Sequence, residues 1–357
     1  MDAEELEPSD AEGGEESPPE LLRQLRSTYG PAIIEAGGPA AGLFALLGHV
    51  GLFERRCRNP VLVASAASGA ELLALARRAD PGFASRPRGL EPIGLELAAR
   101  STNELLAHGA LPLFVVSQVT LGEADPPAVA AQVVRGVAKG CRQADCALLK
   151  AAVVRGPGEL QLAAFAVGMV ERARLLDGRR MVRPGDAVLG LAASGLQGCG
   201  LGPARRALFE QGGLGGADQP PGLGGPLAEE LLRPSRTYAR AVRALLERYR
   251  VKGVVHAIVP VGRGGLVGSL GAALGRGCVA RIRREALPRP PALDVVRRAG
   301  GLSDEEMFGT FNMGLGLAAV VAPFYAEAAL RRIRKAGERA VAIGEIVQGD
   351  GPAVEVV

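Results

Sequence analysis

Residues 59–78, NPVLVASAASGAELLALARR, read as a buried strand, a small-residue turn and a helix. That layout suits a phosphate-binding loop, with Ser68 and Gly69 at the turn, because a helix N-terminus presents backbone N–H groups to an anion. What such a turn still holds depends on the residues around it.

Outward from this stretch, helical and strand patterns alternate. Residues 126–145, PPAVAAQVVRGVAKGCRQAD, have apolar positions at helical spacing and run into CALLKAAVV (146–154), a short buried run suited to a strand. LQLAAFAVGMVER (160–172) is a further strand ending in charge, and Pro184, Gly185 and Asp186 mark a fresh start. A domain boundary is expected near Gly178, giving units 29–178 and 179–357. In the second, PLAEELLRPSRTYARAVRALLERY (226–249) reads as a long amphipathic helix pair, VKGVVHAIVPV (251–261) as a strand, and GRGGLVGSLGAAL (262–274) as a loop feeding a helix. Residues 314–337 read as strand then helix, and 340–357 as two short closing strands. The Gly/Pro-rich 210–226 is expected to be a mobile loop. The fold class is therefore α/β or α+β, in two lobes.

Composition narrows the function classes. A chain of 357 residues with 48% hydrophobic content is long enough for two ordinary domains. No apolar run reaches the roughly 18 to 20 residues of a membrane span, and no basic patch leads into an apolar core at the N-terminus. The expectation is a soluble, cytoplasmic protein. The first twenty residues hold nine acids and no base, so a net charge of +4 leaves the remainder at +13. Residues 1–28 read as a disordered acidic tail. The basic body has 38 Arg, 4 Lys and no Trp, without the aromatic platform of single-strand nucleic-acid binders, so nucleic acid is not an expected partner. Five cysteines without a CxxC pair, and only three histidines, form neither a zinc pattern nor a disulfide framework. Cys199, in a Gly-rich turn, is the one candidate for a reactive thiol.

The ordered set NPVLVAS, IGLELAARSTNELLAHGALPLF, CALL, AAFAVGMVER, GDAVLGLAASGL, LLRPSRTYARAV and GLSDEEMFGTFNMGLGL resembles aminoimidazole ribonucleotide (AIR) synthetase, the phosphoribosylformylglycinamidine cyclo-ligase or PurM family. The likeness runs from near Gly37 to the end, and LSDEEMFGTFN is similar to the cyclo-ligase segment of the eukaryotic trifunctional purine enzyme. The resemblance implies a two-lobed PurM-like fold, with N-terminal lobes pairing their sheets across a homodimer. It implies ATP and Mg²⁺ as cofactors, activating a formyl oxygen for closure of an imidazole ring. Positioning and electrostatics supply most of such phosphoryl transfer.

The residues that carry this chemistry in the family are altered here. Its Gly-Thr-Asp-Gly-Val-Gly-Thr-Lys loop falls on the opening stretch, with Ala67 at Asp, Ser68 and Ala70 at glycines, Glu71 at Thr and Leu72 at Lys. Two aspartates of the next segment become Glu96 and Glu104, beside a retained Asn103, which makes Glu96 and Glu104 the candidate metal ligands. The Gly-Gly-Glu-Thr-Ala-Glu loop gives way to Lys150 through Arg155, and Leu111 and Ser117 replace two further acids. The His-Ser-Asn-Gly turn is Gln197 to Gly200. The resemblance leaves Ser68, Gly69, Arg155 and the Gly262, Arg263, Gly264, Gly265 loop as phosphate or nucleotide candidates, and His256, Thr310 and Asn312 as substrate-side remnants.

Losses fall on polar groups while scaffold residues persist. The expectation is a catalytically impaired or inactive relative that folds and dimerises. Two alternatives stand beside it: an active cyclo-ligase with a site rebuilt from Glu71, Glu96 and Glu104, and an interaction protein whose dimer surface forms a heteromer with an active purine enzyme.

Overall fold

A computed structural model describes residues 58–249, 252–351 and 353–357. The acidic segment 1–28 and Cys57 lie outside the described residues. The opening stretch forms β1 (Pro60–Ser68) and α1 (Ala70–Ala79), as its pattern predicts. Helix α2 (Glu91–Leu105), β2 (Leu111–Leu121), α3 (Pro127–Ala144), β3 (Ala147–Arg155) and β4 (Gln161–Glu171) follow. They build a four-stranded sheet in the order β1-β4-β2-β3, with β2 and β3 parallel and the other pairs antiparallel.

Helices α2 and α3 cover one face of this sheet. A Cβ at Gly94 would stand 2.1 Å from the Val133 carbonyl oxygen, and one at Gly136 would stand 2.1 Å from that of Glu91. Reciprocal glycines thus let the two backbones touch, which seats Ile93, Leu97 and Val137 out of water in the core. No helix of the described residues covers the opposite face: Leu62 and Phe165 are 66% and 49% exposed, and Ala66, Phe165 and Val116 lie in register across β1, β4 and β2.

The chain leaves the first sheet at Glu171 and enters the second at Ala187; Gly178 lies in this connection. The second sheet runs β10-β7-β9-β5-β8-β6. Its strands are β5 (Ala187–Ala192), β6 (Val255–Pro260), β7 (Cys278–Ile282), β8 (Leu315–Val321), β9 (Ala340–Gln348) and β10 (Val354–Val356). Every residue of β8 is buried, which explains its unbroken apolar run in place of an alternating one. Helix α4 (Ala239–Arg248) packs with α8 (Ala326–Lys335), while α5 (Gly265–Ala272) packs with α7 (Asp304–Thr310). Helix α6 spans Pro291–Gly300. Ser303 and Glu306 form a reciprocal capping box at the start of α7.

Two expectations need correction. The 226–249 pair is a short helix, Leu227–Leu231, then an irregular stretch to Tyr238 before α4 begins, because Pro234 cannot donate within a helix. The Gly/Pro-rich 210–226 is pinned rather than free: Asp218 accepts from Gly215 N at 2.7 Å, its own carbonyl accepts from Leu227 N at 2.8 Å, and Gly216 lies flat against Ala79.

Candidate functional site

The two sheets enclose a cleft of about 1260 Å³. Ser68 and Glu71 reach it from the β1–α1 junction, Arg100, Asn103 and Glu104 from α2, and Gly198 and Gly200 from the turn after β5. Ser235, the 262–264 loop and Thr310 close the other side. Of the sequence candidates, Ser68, Glu71, Asn103, Glu104, Gly262, Arg263, Gly264 and Thr310 meet here.

The opening turn keeps its shape, and its first two donors are spent within the protein. Gly69 N donates to the Leu162 carbonyl at 2.9 Å, and Ala70 N donates to Ser68 Oγ at 3.3 Å. A Cβ at Gly69 would lie 2.9 Å from Leu162 Cβ. The glycine therefore serves the close approach of β4.

Helix α2 presents two different polar faces. Glu96 and Asn103, two turns apart, grip the irregular stretch after Pro234. Glu96 Oε2 accepts from Ser235 N at 2.5 Å and Oε1 from Ser235 Oγ at 2.8 Å. Asn103 Nδ2 donates to the Arg236 carbonyl at 2.8 Å, and its Oδ1 accepts from Tyr238 N at 3.0 Å. These four bonds clasp the first lobe to the second. Burial pushes the Glu96 carboxyl above its usual range, against the opposing effects of the Ser235 bonds and Arg100.

Arg100 lies one helical turn from both Glu96 and Glu104. Its NH1 donates to the Ser68 carbonyl at 3.4 Å, and its stem runs beneath Gly198, where a Cβ would stand 2.8 Å from Arg100 Cδ. Gly198 is left-handed at φ +68, so a side chain there is excluded twice over. Burial raises the Glu104 carboxyl and Arg100 opposes it, although the side chain reaches solvent at the cleft wall. Composition concealed Arg100 among 38 arginines; its signal is the spacing Glu96, Arg100, Glu104, with steps of four on one helix.

Across the cleft, Cys199 Sγ donates toward the Gly262 and Thr310 carbonyls at 2.9 and 3.2 Å. Burial lifts this thiol to about 12, so it is a structural tie and not the reactive group its turn suggested. The 262–265 loop spends two of its four N–H groups within the protein. Gly262 N donates to Ser269 Oγ at 3.1 Å, Gly265 N to the Gly262 carbonyl at 3.1 Å, and Leu266 N to the Phe311 carbonyl at 3.0 Å. What the loop leaves open is the N–H groups of Arg263 and Gly264 and the exposed Arg263 side chain, which has no hydrogen-bond or ion-pair partner among the described residues.

Three candidates stand apart from the cleft wall. Arg155 donates from NH1 to the carbonyls of Gly122, Glu123 and Asp125 at 2.8, 3.1 and 3.2 Å, tying the β2–α3 loop. His256 Nδ1 lies 2.6 Å from Asp186 Oδ2, and this bond raises the imidazole pKa above its ordinary value. Asn312, fully buried, donates to the Gly195 and Leu196 carbonyls at 2.8 and 2.9 Å and accepts from Gly314 N.

Magnesium requires several oxygen ligands around one point. Both Glu96 oxygens are engaged by Ser235, and a guanidinium occupies the helical turn between Glu96 and Glu104. No group of three or more His, Cys, Asp or Glu side chains able to hold a metal occurs among the described residues. The described residues of the cleft do not by themselves fit a protein-held divalent ion.

Comparison with known proteins places this cleft in a lineage. Residues 82–170 match the N-terminal domain of AIR synthase related protein, and residues 183–357 match its C-terminal domain. Phosphoribosylformylglycinamidine cyclo-ligase of Myxococcus xanthus is 37% identical over 353 residues, covering 98% of this chain and 96% of the relative. The chain belongs to the AIR synthase family. The cyclo-ligase of Sorangium cellulosum is 39% identical, with 98% and 96% covered. Among solved structures, E. coli HypE, a hydrogenase maturation protein, superposes with a TM-score of 0.60 at 23% identity, covering 94% of this chain and 91% of that one. Thiamine-monophosphate kinase from Stenotrophomonas maltophilia gives 0.59 at 24% identity, with 88% and 95% covered. These likenesses establish the two-lobed AIR-synthase fold. No helix among the described residues is long and apolar enough to cross a membrane.

Proposed function

We propose that this chain is an AIR-synthase-family protein in which ATP- and Mg²⁺-dependent cyclo-ligase activity is lost or strongly reduced, while the cleft persists as a binding site. The observation that carries this reading is the use of Glu96 as a buried clasp on Ser235, which removes one of two candidate metal ligands and leaves Arg100 beside the other. Removing converging carboxylates and adding a cation opposes metal coordination. We take 29–178 and 179–357 as the two units, working in the cytoplasm.

A homodimer is part of the same proposal. The sheet face with Leu62, Phe165, Val116 and Val167 has no covering helix among the described residues, and pairing such faces removes apolar surface from water at about 25 cal/mol per Å². The same face would serve a heteromer with an active purine enzyme.

A second reading is an active cyclo-ligase with a rebuilt site, favoured by 35–42% identity to proteins named as cyclo-ligases and by Glu71 and Glu104 lining one cleft. The deciding experiment measures ADP release from formylglycinamidine ribonucleotide and ATP across a Mg²⁺ series. Release no faster than the buffer blank from folded protein is expected. Substrate- and Mg²⁺-dependent release abolished by Glu71→Ala or Glu104→Ala would establish the rebuilt site instead.

A further inference from the structure

Three guanidinium groups line the cleft without a carboxylate partner among the described residues; Arg179 is tied to the Ala272 carbonyl at 3.0 Å, which leaves Arg100 and Arg263. Arg100 is held by the Ser68 carbonyl and by the fit of its stem under Gly198, and it forms no ion pair with Glu96 or Glu104. Arg263 is equally unpaired. The turn between them connects the two: Gly198 covers the Arg100 stem, and the next residue, Cys199, is bonded to the carbonyl of Gly262, the residue before Arg263. Arg100 and Arg263 therefore flank a single turn from opposite lobes.

A guanidinium offers five donors in a fixed plane, and Arg100 spends one on Ser68. The remaining donors match the oxygens of a phosphate group, to which bidentate, charge-assisted bonds are short and strong. Among the described residues no Phe, Tyr or Trp lines the cleft, its one ring being the His108 imidazole, so these residues supply no large stacking platform for a base.

We infer that Arg100 and Arg263 form a phosphate site that works without a divalent metal, Arg100 acting as the resident cation, and that the ligand is recognised through its phosphates and not through a base. This deepens the proposed reading of a retained binding cleft and rests on it. Glu71 and Glu104 then act as repulsive neighbours, the opposite of their role in a metal site.

The test is calorimetric titration of the full chain with inorganic pyrophosphate and, separately, with ADP, in EDTA and again in Mg²⁺. Pyrophosphate is expected to bind in EDTA, and Mg²⁺, by complexing the ligand, to weaken it. Arg263→Gln, which breaks no contact in the protein, and Arg100→Gln should each lower affinity about tenfold, near the lower end of a charge-assisted pair. Arg331→Gln, on the exposed face of α8, should leave affinity unchanged. Glu104→Gln should tighten binding a few-fold, by roughly the interaction of exposed unit charges. Binding only in Mg²⁺, loss of binding in Glu104→Gln, or full affinity in Arg263→Gln would each overturn the inference. ADP binding about a hundredfold tighter than pyrophosphate would overturn phosphate-only recognition. Turnover plays no part in these titrations, so a cyclo-ligase found active by ADP release would defeat the proposed function independently of them.

Discussion

Helix α2 carries two pairs of polar residues with opposite fates. Glu96 and Asn103 are buried and hold Ser235, Arg236 and Tyr238, Asn103 doing so from the edge of the cleft. Arg100 and Glu104, on the neighbouring strip of the same helix, face the cleft and leave bonding capacity open. A difference of about one helical position decides between a group that stabilises the join of two lobes and one that can meet a ligand. The residues most suggestive of metal chemistry in the sequence include one whose oxygens the protein itself occupies.

The largest test of this contrast is removal of the clasp. Asn103→Ala leaves the buried Tyr238 N–H and the half-buried Arg236 carbonyl unpaired and should cost roughly 1–3 kcal/mol in chemical denaturation, with Glu96→Ala similar. In a double-mutant cycle the two losses should be non-additive by at least about 0.5 kcal/mol, since both hold one segment. Additive losses would show that they act separately.

A smaller effect concerns the charge of Glu96. Its folded pKa is raised above the unfolded value of 4.5, so the unfolded chain releases this proton first. Stability contributed here falls as pH rises from 4.5 through the folded value and is flat above it. Glu96→Gln keeps an acceptor for Ser235 N and removes that slope; it should be at least as stable as the parent at pH near neutrality. An unchanged slope in unfolding free energy against pH would sink the assignment.

The smallest effect lies outside the cleft. The His256–Asp186 bond raises the imidazole pKa, so its contribution is full below the unfolded value of 6.5 and is lost as pH rises through the folded one. With the ring partly exposed, His256→Gln should cost no more than about 1 kcal/mol, seen only on the acid side of a denaturation series. It should leave pyrophosphate titration unchanged.

Much of the fold was legible because its patterns are local. The strand–turn–helix of 60–79, the long α3 and the strands β3 and β4 follow from apolar periodicity and turn residues. The helix pair of 226–249 failed at Pro234, where tertiary bonds from Glu96 and Asn103 reward an irregular backbone over a continued helix. Site membership was legible in part: Ser68, Glu71, Asn103, Glu104, Arg263 and Thr310 do share one cleft.

The sequence alone determined the family and the order of elements, since ordered motifs and hydrophobic period survive without knowledge of contacts. It could not determine which polar groups remain available. Arg155 resembled a phosphate ligand until three loop carbonyls claimed it, and Arg100 resembled any surface arginine until Gly198 and Ser68 fixed it in the cleft. A side chain's chemistry depends on which of its donors and acceptors are already satisfied, and those partners come from residues up to about 140 positions away, brought together only by the packed lobes.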